Sequence, residues 1–336
     1  MKLVSFNIIE VSIPFHSQFK HALAARNKSS SVVFEIIADN GTIGYGEGTP
    51  RGYVTGETIE TTVRALRLVS EKLKYKTINS SDNIVDIIKN IQGNLKEILE
   101  YSPSAKCALE IALVDLLGKL FSKSALSLLG EQKTKEVFYS GAITDSEYNK
   151  ITNSLDKINS LNIKNVKIKA GRDFTADSEK FEFIRSYLKP DVEFRVDANG
   201  AWNLAESIKR IEFYNRYGVT IFEQPMPVDF REYYPVLVER IDDKNQIIVD
   251  ESVCTDDDAV WFIEHKGANG INLKISKHGG LINTLSIHQL SIDCGFKNQL
   301  GCHVGETSIL TSAGAIFSAL TEGLIAYEGA YGRLLL

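Results

Sequence analysis

The chain has 336 residues, 43% of them hydrophobic and 24% charged, with a net charge of −5. This balance describes an ordinary globular protein with room for one large domain and a smaller one, and excludes an extensively disordered chain. The acidic surplus, without a clustered basic surface, excludes nucleic acid as a partner, and no stretch approaches the roughly 18 apolar residues of a membrane span.

The N-terminus MKLVSFNIIEVSI places Asn7 and Glu10 where a signal peptide needs an unbroken apolar core, so a cytoplasmic location is expected. LVSFNIIEVSI, SVVFEIIAD and TIGYGEG alternate apolar and polar residues, with DNG at 39–41 as a hairpin turn, and predict an antiparallel sheet. The loop GTPRGYVTGET (48–58) combines Pro, Gly, a cation and an aromatic ring, as a mobile lid does. Arg51 and Tyr53 are therefore expected to meet a substrate tail, with Lys20 and Arg26 of FKHALAAR nearby. GETIETTVRALRLVSEKL (56–73) and the segment near 82–99 show helical spacing, and SAKCALEIALVDLLGKLFS (104–122) is apolar on most sides, hence a buried helix. Strands followed by helices make an α+β module, assigned to residues 1–132.

From residue 133 the pattern alternates strand and helix, beginning with a strand at about 137–143 in EVFYSGAIT. Five runs follow, VKIK, FRVD, TIFE, IIVD and INLK, each ended by one charge: Lys169, Asp197, Glu223, Asp250 and Lys274. The steps between those charges are 28, 26, 27 and 24 residues, about one βα unit each. NQLGCH (298–303) and LIAYE (324–328) continue the beat to His303 and Glu328 and bring the strands to eight. Residues 133–336 are accordingly read as a (β/α)8 barrel, α/β in class, beneath the N-terminal module. A flat doubly wound sheet draws its ligands from a few loops at one switch point, so charges on five successive strands favour the closed ring.

In such a barrel the strand C-termini gather at one mouth, so three carboxylates and two lysines would face each other across a single pocket. Each aspartate alone would also suit a helix cap, as would Asn199, in DANGAW and DESVCT. Together the three carboxylates repel, and a divalent cation resolves the conflict. All-oxygen ligands suit Mg2+ or Mn2+, and three carboxylates leave positions open for a substrate's own oxygens. Lys169 and Lys274 come from strands four apart in a ring of eight, hence from opposite sides. A lysine beside a cation and another lysine is pushed toward a lower pKa and can act as a base, and Lys167, on the same face as Lys169, should assist. One lysine could remove the proton α to a carboxylate and the other return a proton to the opposite face.

The cysteines Cys107, Cys254, Cys294 and Cys302 form no CxxC pair, which indicates neither a zinc site nor a disulfide framework. Cys302 alone lies near the expected mouth, without an identifiable base to activate it.

The KxK of VKIKAG, the DAN of VDANGAW, the EQP of FEQPMP, the DES of VDES and the NLK with KHGG of INLKISKHGG resemble the enolase superfamily, and within it the muconate-lactonizing-enzyme subgroup. ALEIALVDLLGK and the GYGEG turn are similar to its capping-domain and linker segments, so the likeness spans nearly the whole chain. The resemblance implies a modified TIM barrel under an N-terminal α+β cap, Asp197, Glu223 and Asp250 as Mg2+ ligands, and Lys169 and Lys274 as the acid/base pair supported by Lys167 and Asn199. It further implies a small carboxylate substrate, an N-acylamino acid or dipeptide, racemised or epimerised through an enediolate. Cycloisomerisation or syn-elimination, as in muconate cycloisomerases and o-succinylbenzoate synthases, is the alternative from the same intermediate.

Two departures stand out. The Asp-x-Asp doublet that dipeptide epimerases of this kind carry after the eighth strand is replaced by AYEGAYGRLLL, where Glu328 is expected to take part of its function. GCHVGETS departs from the usual G-x-M-x-E form, with His303 and Glu306 expected near substrate. A metal-independent Schiff-base aldolase would give no role to three carboxylates, and a retired enzyme kept as a binding protein should have lost one of the five charges. The apolar cap helices leave self-association open.

Overall fold

The computed structural model describes residues 1–21, 24–78, 83–145 and 147–329; from 16 to 26 it describes backbone alone, so Lys20 and Arg26 as substrate contacts lie outside the described residues, as does the chain after Gly329.

The N-terminal strands are β1 (Leu3–Val11), β2 (Pro14–His21), β3 (Ala24–Lys28), β4 (Ser31–Ala38) and β5 (Ile43–Gly48). β1, β4 and β5 form an antiparallel sheet in the order β1-β4-β5, while β2 and β3 pair as a separate hairpin. The expected turn at 39–41 joins β4 to β5, with Gly41 at a φ of 82° that favours glycine. Helices follow: α1 (Ile59–Leu73), α2 (Ile84–Asn94), α3 (Lys96–Leu99), α4 (Pro103–Phe121) and α5 (Ala125–Leu129). Thr58 caps α1 through a reciprocal bond with Thr61, and Val63, Leu66, Val69 and Leu73 turn one apolar face inward.

The apolar character of α4 on most sides has a direct cause. Its Ala108, Leu109 and Ala112 belong to the N-terminal core, whereas Cys107 and Ile111 belong to the core of the barrel. Close approach to β5 is made by glycines on alternate residues. A Cβ at Gly44, Gly46 or Gly48 would lie 2.2, 1.9 or 2.1 Å from the carbonyl oxygen of Ala112, Ala108 or Ser104, one turn of helix apart.

The second half alternates β6 (Gly141–Ile143), α6 (Tyr148–Ser160), β7 (Asn165–Lys169), α7 (Phe174–Tyr187), β8 (Glu193–Asp197), α8 (Leu204–Asn215), β9 (Ile221–Glu223), α9 (Tyr234–Arg240), β10 (Gln246–Val249), α10 (Asp256–Glu264), β11 (Gly270–Leu273), α11 (Leu281–Asp293), β12 (Gln299–Leu300) and α12 (Ser308–Leu320). β6 to β12 are parallel neighbours in chain order. Tyr327 then bridges Leu300 on one side and Tyr139 on the other, so an eighth stave closes the ring. That stave is one bridging residue, paired on both sides, and not a strand over the longer run LIAYE, and the first strand is three residues plus the bridge at Tyr139. The fold is a modified TIM barrel with an N-terminal capping module. Among the described residues no helix is long and apolar enough to cross a membrane.

Glu47 ties cap to barrel. Its carboxylate accepts hydrogen bonds from Thr307 N at 2.9 Å, Thr307 Oγ1 at 2.7 Å and Leu310 N at 3.1 Å, at the N-terminus of α12 where a negative charge is favoured.

Candidate active site

Lys169, Asp197 and Glu223 are the last residues of β7, β8 and β9, and Asp250 and Lys274 immediately follow β10 and β11. Lys169 pairs in register with Asp197, and Asp197 with Glu223, so the charges stand side by side at one end of the barrel. The capping alternative does not hold: α8 is capped by Asn203 and α10 by Thr255.

A pocket at this mouth is walled by Lys169 and Lys274 from opposite sides of the ring, with Lys167, Asn199, Asp250 and Glu251 between them. Lys169 Nζ lies 2.5 Å from Asp197 Oδ2 and 2.7 Å from Asn199 Oδ1, and Lys274 Nζ lies 2.6 Å from Asp250 Oδ2. Lys167 Nζ sits 3.2 Å from both oxygens of Glu223 and 2.9 Å from Glu328 Oε2. The arrangement corrects the expectation that three carboxylates line the pocket. Only Asp250 of the three reaches its wall, while Asp197 and Glu223 are buried behind the lysines that pair with them. For the same reason, no three His, Cys, Asp or Glu side chains among the described residues converge as a ready-made ligand set.

The electrostatics follow from burial and pairing. Burial raises the Asp250 carboxyl, but Lys274 and Lys277 together outweigh it and hold the group well below the usual aspartate range; Lys169 and Lys167 do the same for Asp197. Glu223 goes the other way: burial and the charge of Asp197 push it up to about 8 against the pull of Lys167. Burial and the charge of Asp250 also raise Glu251, and its Oε2 is buried without a partner. Burial works to lower Lys274, yet Asp250, Glu251 and Glu223 hold it above the ordinary lysine value. The charge of Asp250, its ion-pair partner, is the largest upward pull. Glu251 Oε2, buried beside Asp250 without a partner, is a hard oxygen donor open to a divalent cation, and the neighbouring Asp197, Glu223 and Asp250 supply further carboxylate oxygens of the kind such a cation takes.

Local backbone strain accompanies the site. Asn199 and Gln224 adopt φ of 45° and 39°, uncommon for residues other than glycine, two and one positions after Asp197 and Glu223. Gln224 uses this turn to clamp the next strand end. Its Oε1 accepts from Asp250 N at 2.8 Å, and its Nε2 donates to Ser252 Oγ at 2.6 Å and Met226 O at 2.9 Å.

The peripheral expectations divide. Tyr53 and His303 line the pocket. Arg51 is fully buried and donates to the carbonyls of Ser30, Pro50 and Val304, which makes it a brace between lid, hairpin and barrel loop and corrects its placement against a substrate tail. Glu306 accepts from His303 N at 2.6 Å, and burial pushes it up to about 8; it lies outside the pocket wall. Glu328 does line the pocket, but Lys167 and Arg195 engage its carboxylate. Burial, then Glu306, holds the Cys302 thiol well above its ordinary pKa, which disfavours the thiolate that a nucleophile needs.

Sequence reasoning missed a second tier of site residues. Lys277, with no exposed surface, donates to Asp250 O at 2.7 Å, Asp250 Oδ1 at 2.9 Å and Asn272 O at 2.9 Å. Arg195 pairs with Glu328 and Gln299, and Glu223 accepts from Asn272 Nδ2 at 2.8 Å and Gln299 Nε2 at 2.6 Å. The available signal was the period 2 that identified Lys167: Arg195 and Asn272 likewise stand two residues before a strand-end charge and on its face.

Comparison with known proteins agrees with this geometry. Residues 4–130 match the family model of the mandelate racemase / muconate lactonizing enzyme N-terminal domain, and residues 152–335 match that of the enolase C-terminal domain-like family. The chain belongs to the mandelate racemase/muconate lactonizing enzyme family. An L-Ala-D/L-Glu epimerase of Francisella tularensis subsp. novicida is 28% identical over 332 residues, covering 96% of this chain and 88% of the relative. An N-succinyl-L-Arg/Lys racemase of Bacillus cereus is 23% identical, covering 94% and 83%. The crystal structure of a dipeptide epimerase from Enterococcus faecalis V583, complexed with Mg and the dipeptide L-Leu-L-Tyr, superposes with a TM-score of 0.89 at 27% identity, over 98% of this chain and 90% of that one.

Proposed function

We propose that this chain is a Mg2+-dependent racemase or epimerase that moves the α-proton of a small carboxylate substrate, an N-acylamino acid or dipeptide-like molecule, with Lys169 and Lys274 as the two proton carriers. The observation that carries this reading is that both lysines line one pocket from strands four apart in the ring. A neutral Nζ on one side accepts the α-proton, and the ammonium on the other delivers a proton to the opposite face of the same carbon. Asp197, Glu223 and Asp250 would hold the cation. When bound, it supplies positive charge that favours the enolate form of the substrate. Asn199 holds Lys169 in place, and Lys167 keeps Glu223 and Glu328 positioned behind it. The names of the relatives support racemisation or epimerisation over cycloisomerisation. We also place the boundary between the capping and barrel domains at residues 132/133, and the protein in the cytoplasm.

The test is proton NMR in D2O with Mg2+, together with polarimetry, on a panel of N-acylamino acids and dipeptides. Loss of the α-proton signal with loss of optical rotation, both prevented by EDTA, is expected. A panel in which no α-proton exchanges contradicts the reading.

A further inference from the structure

We propose that the cleft between the capping helices and the barrel is a second ligand site, separate from the mouth pocket, that takes a small organic anion, a phosphate ester or a dicarboxylate. Its cap wall carries Lys89 of α2, Lys96 of α3 and Lys106 of α4, and its barrel wall carries Cys254 and Thr255 before α10 and His278 and Gly279 before α11. The cleft measures about 680 Å3, against about 50 Å3 at the mouth, and falls within the roughly 300–1,000 Å3 of small-molecule sites. The two pockets share no lining residue.

The group that points to a ligand is His278. It is 2% exposed and lines the cleft, and neither ring nitrogen has a hydrogen-bond partner. Burial, then Lys277, keeps the ring below its ordinary pKa and so uncharged at neutral pH, and the Cys254 backbone, which works against that shift, completes no hydrogen bond. A neutral imidazole still donates through one nitrogen, and a buried polar atom left unpaired is costly, so a ligand oxygen that accepts from it recovers that cost.

The lysines are uncommitted in the same way. Among the described residues, the ammonium groups of Lys89, Lys96 and Lys106 form no ion pair and no hydrogen bond. Lys106 feels Glu110, one turn further along α4, but burial raises that carboxyl to about 7. The Lys106 stem crosses Gly279, where a Cβ would lie 2.9 Å from Lys106 Cδ, so the glycine lets this cation reach the barrel wall beside His278. The acids of the cleft do not serve the lysines. Asp256 accepts from Asn283 Nδ2 at 3.0 Å, and Asp256 and Asp257 occupy the first turn of α10, where the helix end favours negative charge. Glu100 is exposed and pairs with none of the three. Three cations without counter-ions beside a buried open donor suit a ligand with more than one negative oxygen, and Leu99 and Ile282 offer apolar surface to a short carbon skeleton.

The test is calorimetric titration of the full-length, Mg2+-loaded protein with glycerol 3-phosphate and with glutarate, with glycerol as the uncharged control; it does not depend on the α-proton chemistry proposed above. At least one of the anions is expected to bind, and glycerol is not. The double variant Lys89→Ala/Lys106→Ala should weaken that binding by about tenfold or more, with the melting temperature and Mg2+ affinity unchanged. His278→Leu should weaken it as well, whereas Lys169→Ala, at the mouth, should leave it as it was. Binding of glycerol 3-phosphate alone identifies a phosphate site, and binding of glutarate alone a carboxylate site. No binding of either anion at millimolar concentration, or an affinity untouched by the double lysine variant, overturns the inference.

Discussion

Replacing Lys277 with methionine keeps an unbranched apolar stem of similar reach and removes the ammonium. All three of its donor directions are spent, on Asp250 O, Asp250 Oδ1 and Asn272 O at 2.7–2.9 Å, in a position with no solvent exposure. The variant leaves the Asp250 carboxylate with Lys274 alone and takes one donor each from the buried carbonyls of Asp250 and Asn272. Breaking a buried pair by deleting one partner costs about 3–5 kcal/mol, a large part of the roughly 5–15 kcal/mol that a folded protein holds in total. At about 2 °C per kcal/mol for a long chain, the thermal midpoint should fall by roughly 6–10 °C. Thermal unfolding followed by circular dichroism at pH 7 reads this directly. A midpoint within about 2 °C of the parent would refute the view that Lys277 is the internal counter-ion that holds Asp250 in place.

Glu110 offers a pH-dependent test: burial lifts it to about 7, while it accepts from Gln92 Nε2 and Ile282 N. A raised carboxyl keeps its proton in the native state after the unfolded chain has released it, so stability is lost as pH climbs from about 4.5 through about 7. Glu110→Gln should remove up to about 3 kcal/mol of that slope in urea melts at a series of pH values; an unchanged slope would count against the assignment. Gly46→Ala drives a Cβ to 1.9 Å from Ala108 O, a backbone atom with no room to yield, and should lower the melting temperature more than Gly218→Ala, which meets nothing within 4 Å although both substitutions add the same methyl group. Gly218 has a φ of 81° and so carries its own backbone strain, which makes this a stringent comparison. Asp197→Asn or Asp250→Asn should weaken Mg2+ binding in calorimetry by at least tenfold, and unaltered affinity would show that the cation sits elsewhere.

The regular beat of strand-end charges was legible because a parallel barrel repeats one unit and aligns its strand termini, so Lys169, Asp197, Glu223, Asp250 and Lys274 could be read from spacing alone. The ends of the ring were harder to read. β6 and the closing bridge at Tyr327 are too short to impose a pattern on their sequence. Arg51 was misjudged because a cation in a Pro/Gly loop resembles a lid residue, whereas its donors are turned onto three carbonyls by a fold that the sequence does not display locally. Glu328 does line the pocket, but its pairing there was not legible for a similar reason. Its neutralising partners, Lys167 and Arg195, are 161 and 133 residues away, beyond the reach of any local pattern.

The claim at the centre of this account is that Lys169 and Lys274 serve opposite faces of one carbon. It is tested most directly by measuring α-proton exchange in D2O from each enantiomer of an active substrate separately, with Lys169→Ala and Lys274→Ala. Each variant should fail to racemise, and each should still exchange the proton of one enantiomer, a different one in the two cases. Racemisation surviving in either variant, or both variants exchanging the same enantiomer, would contradict a two-sided lysine mechanism.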